Sequence, residues 1–184
     1  MKRKAVFFDR DGVLNEAVVR DGKPYPPGSL LEMRVFPDAA AALQLLKDHG
    51  FLLIVVTNQP DVGRGTQSRE TVEEMHRAMR TVLPLDDIRV CYHSGSEGCQ
   101  CRKPLPGLLL QAAEDRGISL AESFLIGDRW RDIDAGHAAG CKTILIDYGY
   151  AEQQPAAPPE ARVPSLGDAV RWVLKMDRTS VAIP

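Results

Sequence analysis

Along this chain the apolar residues gather in short unbroken runs, and each run stops at polar residues. Lys4-Ala5-Val6-Phe7-Phe8 is followed at once by Asp9-Arg10-Asp11. Residues 51–59 read FLLIVVTNQ, residues 123–128 SFLIGD and residues 142–149 KTILIDYG, and a weaker run, DDIRVCYH, covers 86–93. Short continuous runs bounded by polar residues predict buried strands of a parallel sheet, because a strand with one wet face would alternate instead. The stretches between them have helical character. Residues 37–50 predict a helix with Pro37 in its first turn, Asp38 favourable at the N-terminal dipole and Gly50 as a left-handed stop. Residues 68–83 predict an amphipathic helix capped by Ser68. Further helices are expected over 106–118, 131–140 and 165–175, and the Pro/Ala-rich residues 151–165 read as a surface loop.

Strands alternating with helices predict an α/β fold: a Rossmann-like three-layer sandwich around a central parallel sheet with right-handed crossovers, formed as one domain over residues 1–184. Such sheets bind ligands beyond the carboxyl ends of their strands. Three of the predicted strands end there in chemistry-bearing residues: Asp9-Arg10-Asp11, Thr57-Asn58-Gln59 and Gly127-Asp128.

Composition narrows the function. The 184 residues are 44% hydrophobic and 26% charged, so a packed core is expected. A formal net charge of -2 argues against a nucleic-acid binder held by bulk electrostatics, while leaving room for a small anionic substrate met by local basic residues. No apolar run is long enough to span a bilayer. The opening MKRKAVFFDRDG has an apolar part of about five residues, short of the roughly 7–15 of a signal peptide, so a cytoplasmic protein without membrane partners is expected.

Two carboxylates as close as Asp9 and Asp11 repel unless a cation neutralises them. A hard ion of the Mg²⁺ type suits them, since it takes one or two carboxylates together with a substrate phosphate. Asp128 stands ready as a third carboxylate, while Lys103 and the Thr57 hydroxyl can stabilise a phosphoryl group. One aspartate can then attack phosphorus while the other moves the leaving-group proton. Three of the four cysteines gather with a histidine as Cys91-x-His93-x5-Cys99-x-Cys101. Three thiolates and an imidazole complete a closed tetrahedral site for structural Zn²⁺, which would staple the loop and position Arg102 and Lys103 behind it.

The set DRDGVLN (9–15), VVTNQ (55–59), CRKP (101–104) and IGDRWRD (126–132) resembles, in order and strand context, the four motifs of the haloacid dehalogenase superfamily of phosphatases. That resemblance implies Asp9 as nucleophile through an aspartyl-phosphate, Asp11 as general acid/base, Thr57 and Lys103 as phosphoryl stabilisers, and a Mg²⁺ site from Asp9, the Asp11 main-chain carbonyl and Asp128. Asp132 resembles the second acid of the fourth motif, orienting Lys103, or else is a favourable acid at a helix start. Too few residues separate the motifs for a folded cap domain, so an open site is expected.

The cysteine loop, with TNQPDVGRG (57–65) and CRKPLPGLLL (101–110), resembles the cap-less, zinc-bearing branch that contains heptose bisphosphate phosphatases and the histidinol-phosphatase domain. This implies Asn58, Arg64, Arg102 and Arg129 as substrate contacts. The expected substrate is a small phosphorylated sugar, foremost the 7-phosphate of a heptose 1,7-bisphosphate. Histidinol phosphate is the alternative, and a zinc-stapled interaction module the reading outside enzymes. A monomer is expected. Pro60-Asp61-Val62, Pro24-Tyr25-Pro26-Pro27 and Trp130 depart from the branch pattern; Trp130 reads either as an aromatic wall beside the substrate or as a helix-start residue packing on the sheet. His49 reads as structural, His76 and His137 as lone helical histidines, and Cys141 as core.

Overall fold

The computed structural model describes residues 2–181, with side chains described to residue 178. The chain runs β1 (Ala5–Phe8), β2 (Val18–Arg20), β3 (Lys23–Tyr25), α1 (Ala39–Asp48), β4 (Leu52–Asn58), α2 (Pro60–Gly63), α3 (Arg69–Val82), β5 (Asp87–Cys91), α4 (Gly107–Arg116), a 3-10 turn (Leu120–Glu122), β6 (Phe124–Gly127), α5 (Trp130–Ala139), β7 (Lys142–Ile146), β8 (Ala161–Val163) and α6 (Leu166–Val181). Six strands form one sheet in the order β5-β4-β1-β6-β7-β8, with every pairing parallel. The chain moves outward from β1 through β4 to β5 and returns to β6 on the other side of β1. The strand order therefore reverses beside β1, where sheets of this kind hold their ligands.

The three layers follow from side-chain alternation along each strand. Val6 and Phe8 face one layer with Leu53, Val55 and Ile126, against α1, α3 and α6 through Leu43, Met75 and Val170. Ala5 and Phe7 face the other with Ile54, Val56 and Leu125, against α4 and α5 through Leu109 and Ala135. Strands buried on both faces have no polar face to show, which is why they read as unbroken apolar runs. The Ser68 hydroxyl accepts from Thr71 N at 3.0 Å at the start of α3, as its cap position predicts. No helix among the described residues is long and apolar enough to cross a membrane.

Three local features differ from the sequence reading. Residues 151–165 are not loop throughout: β8 extends the sheet beside β7, secured by Asp147 N donating to Val163 O and by the Glu160 carboxylate accepting from Thr143 Oγ1. A three-residue edge strand is too short to produce a period. The stretch after Asn15 also forms a β2–β3 hairpin, whose turn is Asp21-Gly22 at φ 50° and 71°. An Asp-Gly pair is the residue choice for two consecutive left-handed positions, so the signal was present in the sequence. The last helix also runs past Lys175 to Val181.

Candidate active site and metal sites

The candidate residues meet at the carboxyl ends of β1, β4 and β6. Asp9 leaves the end of β1, Thr57 and Asn58 close β4, and Asp128 follows β6. Close approach there depends on glycine. A Cβ on Gly12, at φ +87°, would lie 2.0 Å from Asp128 Oδ2, and one on Gly127 would lie 2.1 Å from Asp132 Cβ. Lys103 is buried, with Nζ 2.9 Å from Asp9 Oδ1 and 2.5 Å from Asp132 Oδ1. Asn58 fixes the lysine's main chain: its Nδ2 donates to Lys103 O at 3.0 Å, and its Oδ1 accepts from Lys103 N at 3.1 Å. Asp132 also accepts from Arg129 N at 3.1 Å at the start of α5. Both sequence readings of Asp132, lysine partner and helix-start acid, therefore describe one side chain.

Asp11 is held differently. Its Oδ1 accepts from Arg10 Nε and Asn15 Nδ2, each at 3.0 Å, and its Oδ2 from Arg10 Nη2 and Gln59 Nε2, each at 2.9 Å. Gln59 Nε2 also donates to Thr57 Oγ1 at 3.0 Å, linking the second acid to the threonine at the end of β4.

The electrostatics are unbalanced. Asp9, Asp128 and Asp132 are all buried, with carboxylate oxygens lying within 4.8 Å of one another, and among the described residues Lys103 is the one cation ion-paired with two of them. Burial works against the charge on Lys103, yet Asp132 and Asp9 together hold its pKa above the ordinary lysine value. Burial, opposed by Lys103 and reinforced by Asp132 and Asp11, pushes Asp9 up to about 6. Asp128 is raised well above the carboxylate range, by burial first and then by Asp9 and Asp132, and neither of its oxygens has a hydrogen-bond partner. Two orphaned, buried carboxylate oxygens facing a second carboxylate are the donor set a divalent oxygen-seeking cation requires. The residues present fit Mg²⁺, which the Asp9 and Asp128 carboxylates would hold.

Above these groups lies a cavity of about 200 Å³. Arg64, Arg102, Arg129 and Arg131 rim it together with Asn58, and the hairpin closes one side with Lys23, Pro24 and Tyr25. Arg129 is braced by the Glu152 carboxylate. Arg102 donates to His93 O at 3.1 Å, and Arg64 pairs with Asp61 at 3.1 Å. Arg131 stacks over the Trp130 ring, 5.0 Å from its centroid, so the indole packs against an arginine and stands outside the cavity lining.

The four zinc-candidate side chains converge at the end of β5. Cys91 Sγ lies 3.5 Å from His93 Nδ1 and 3.8 Å from Cys99 Sγ, and Cys101 Sγ lies 3.3 Å from His93 Nδ1. A tetrahedron with Zn–S about 2.3 Å and Zn–N about 2.0 Å has edges of about 3.5–3.8 Å, close to these separations. Without an ion, burial and the neighbouring Cys101 push the Cys91 thiol up to about 12, so a bound ion would have to displace that proton. Gly107 lets the loop fold back, since a Cβ there would lie 2.2 Å from Gln100 O.

Other histidines resolve individually. His49 caps α1, with Nδ1 2.8 Å from Leu45 O, and His137 Nε2 meets Thr143 Oγ1 at 3.0 Å. Cys141 is core, as expected. His76, which shows no partner pattern in the sequence, lies buried against Arg10. Its partner sits 66 residues away, a separation that local pattern does not report. Glu152 was missed for the same reason.

Comparison with known proteins agrees with this geometry. A HAD-hydrolase-like family model matches residues 100–169. The D-glycero-beta-D-manno-heptose-1,7-bisphosphate 7-phosphatase of Rhodopseudomonas palustris is 36% identical over 152 residues, covering 76% of this chain and 81% of the relative. The enzyme of the same name from Helicobacter pylori is 32% identical over 181 residues, covering 92% and 97%. The crystal structure of D,D-heptose 1,7-bisphosphate phosphatase from B. bronchiseptica, complexed with magnesium and phosphate, superposes with a TM-score of 0.75 at 27% identity, covering 94% of this chain and 99% of that one. The fold and the site define a haloacid-dehalogenase-type phosphatase. Within that class the chain belongs to the heptose-1,7-bisphosphate 7-phosphatase family.

Two predictions follow from the metal sites. Cys99 is half-buried, so its replacement by serine removes little packing. Metal analysis is expected to find one zinc per wild-type chain and a deficit in Cys99→Ser, with chelation lowering the wild-type Tm; an unchanged Tm together with no bound zinc would count against the site. The second concerns the carboxylates. A carboxyl pKa raised by folding means that the folded state holds protons the unfolded state has released. The resulting penalty is complete above the folded-state value, about 6 for Asp9, and disappears as the pH falls to the ordinary 3.8. In Mg²⁺-free buffer, Asp128→Asn should therefore melt above wild type at pH 7, with a gap that narrows toward pH 5. Added Mg²⁺ should raise the Tm of wild type and not of the variant. A variant that melts below wild type in the absence of Mg²⁺ would mean the repulsion is not the dominant effect.

Proposed function

We propose that this phosphatase removes the 7-phosphate of D-glycero-D-manno-heptose 1,7-bisphosphate in a Mg²⁺-dependent reaction through an aspartyl-phosphate, with Asp9 as nucleophile and Asp11 as general acid/base. The observation that carries this reading is the pairing of Asp9 with Lys103 beside the orphaned carboxylate of Asp128, beneath a cavity rimmed by arginines. The family membership supports the sugar, and the basic rim suits a substrate with a second anionic group.

In the first half-reaction a carboxylate oxygen of Asp9 attacks phosphorus, and the bond from phosphorus to the sugar oxygen breaks. Asp11 gives its proton to that oxygen, so the sugar leaves as an alcohol. In the second half-reaction Asp11 takes a proton from water, the water oxygen attacks phosphorus, and the bond to Asp9 breaks to release inorganic phosphate. Lys103 and the Thr57 hydroxyl face the phosphoryl oxygens, where fixed positive charge and a fixed donor act most strongly in a dry site. Mg²⁺, held by Asp9, Asp128 and the Asp11 carbonyl, would supply charge neutralisation between the carboxylates and the phosphate. Arg64, Arg102 and Arg129, all in the cavity lining, meet the sugar side of the substrate. Histidinol phosphate fits less well, because Asp61, the acid available for its amine, is paired with Arg64.

The test is phosphate release from a panel of both anomers of heptose 1,7-bisphosphate, histidinol phosphate and hexose phosphates. A preference for one heptose anomer is expected; equal weak rates throughout would overturn the sugar assignment. Asp9→Asn should lower turnover by about 10³-fold or more while leaving the melting curve cooperative. A variant that keeps wild-type turnover would remove Asp9 as the nucleophile.

A further inference from the structure

Arg10 is 0% exposed and His76 is 3% exposed, and neither touches the space where a phosphate would sit. Burying a guanidinium is costly, and an apolar residue would fill the volume more cheaply. What the guanidinium does there is visible in its bonds. Nε and Nη2 donate side by side to the two oxygens of Asp11, the bidentate arrangement that fixes a carboxylate in plane as well as in place. The third corner, Nη1, lies 3.1 Å from His76 Nε2.

An arginine only donates, so His76 Nε2 must accept. The ring is then neutral and carries its proton on Nδ1, which faces Glu73 Oε2 at 3.8 Å, beyond hydrogen-bond distance. Glu73 in turn accepts from the Tyr92 hydroxyl, in the segment that leads into the cysteine loop. A positive imidazole would set two donors against each other, and burial with Arg10 beside it does lower the His76 pKa, to about 4.

We propose that His76 is a positioning residue for the general acid/base: by accepting from Nη1 it sets the plane of the Arg10 guanidinium, and through Arg10 it sets the orientation of the Asp11 carboxylate. This rests on the assignment of Asp11 given above. Asn15 and Gln59 also bond Asp11, but each offers a single amide donor, so Arg10 is the contact that fixes the plane. Without His76 the buried Nη1 loses its acceptor, and the guanidinium is free to tilt toward another.

The test uses leaving groups. A sugar oxygen needs a proton to depart, whereas p-nitrophenolate leaves without one. Loss of Asp11 orientation should therefore lower kcat/KM for heptose 1,7-bisphosphate about tenfold more than for p-nitrophenyl phosphate. His76→Leu is expected to show this selective loss, and His76→Gln, whose amide oxygen can accept from Arg10, to recover most of it. If His76→Leu does not fold, His76→Asn, too short to reach, takes its place. An equal loss on both substrates, or a glutamine variant no better than leucine, would overturn the proposal. Asp11→Asn run in parallel separates the two claims. If it is not selective, the role of Asp11 fails; if it is selective and His76→Leu is not, only the positioning role fails.

Discussion

The structure depends on a concentration of negative charge that its own residues do not neutralise. Asp9, Asp128 and Asp132 are buried together with one lysine, and Asp128 keeps both oxygens unpartnered. An arrangement built for stability alone would have paired or replaced these groups. Much of the surrounding fold reads as accommodation of the charge. The start of α5 supplies the N–H that Asp132 accepts, in a position where the helix dipole favours a carboxylate. Gly12 and Gly127 remove the side chains that would otherwise occupy the acids' space. The parallel sheet brings β1 and β6 side by side, so that residues 119 positions apart, Asp9 and Asp128, bring carboxylate oxygens within 4.8 Å of one another. A divalent cation is the missing counter-charge, and an anionic phosphate is then attracted to a site that would repel it when metal-free.

Lys103 is the hinge between this charge cluster and the zinc loop. It follows Cys101 by two residues, and its main chain is clamped to the end of β4 through Asn58. In the loop from residue 92 to 106, Tyr92 packs on one layer of the core and Cys99 and Cys101 pack on the core formed around α4. A short polar loop does not hold a lysine to within a few tenths of an ångström by propensity. Tying both ends of the loop, Cys91 with His93 and Cys99 with Cys101, to one ion would do so by coordination geometry. The role of Asn58 is best seen in the same light: both ends of its amide are engaged by Lys103, so its first effect on a substrate is through the lysine.

The sheet, its helices and the floor of the site were legible because they obey local rules. Buried parallel strands are apolar without interruption, and their carboxyl ends carry the chemistry, so Asp9, Thr57 and Asp128 could be placed from pattern alone. The ligand spacing of the cysteine loop was equally local. What pattern did not convey was contact across long separations. His76 resembles any polar residue on an amphipathic helix until β1 brings Arg10 beneath it, and Glu152 lies in a stretch whose composition suggests only loop. The hairpin is a different matter. Asp21-Gly22 is a strong turn signal, but Lys23-Pro24-Tyr25 has a proline within the strand, which argues against one unless the strand lies at an edge. In a two-stranded ribbon both strands are edges, so the proline is tolerated.

That hairpin bears on how a phosphatase without a cap domain selects its substrate. A folded cap shields the reaction from water and reads the leaving group. Above the acids, the cavity of this chain is lined by Lys23, Pro24, Tyr25 and Pro26 of the hairpin segment, by Asn58, Pro60 and Asp61, and by arginines. Prolines and a two-residue turn limit the motion of the hairpin, so its wall is preformed instead of closing on demand. The arginines are preformed as well: Arg129 is braced by Glu152, Arg102 by the His93 carbonyl and Arg131 by Trp130. An open site of this kind gains selectivity from the spacing between the reacting phosphate and a second anionic group, because rigid cations at a fixed distance discriminate length and stereochemistry where a flexible lid would adapt. The basic rim and the acidic floor would thus act as two parts of one device, the floor retaining a cation for the chemistry and the rim measuring the rest of the substrate against it.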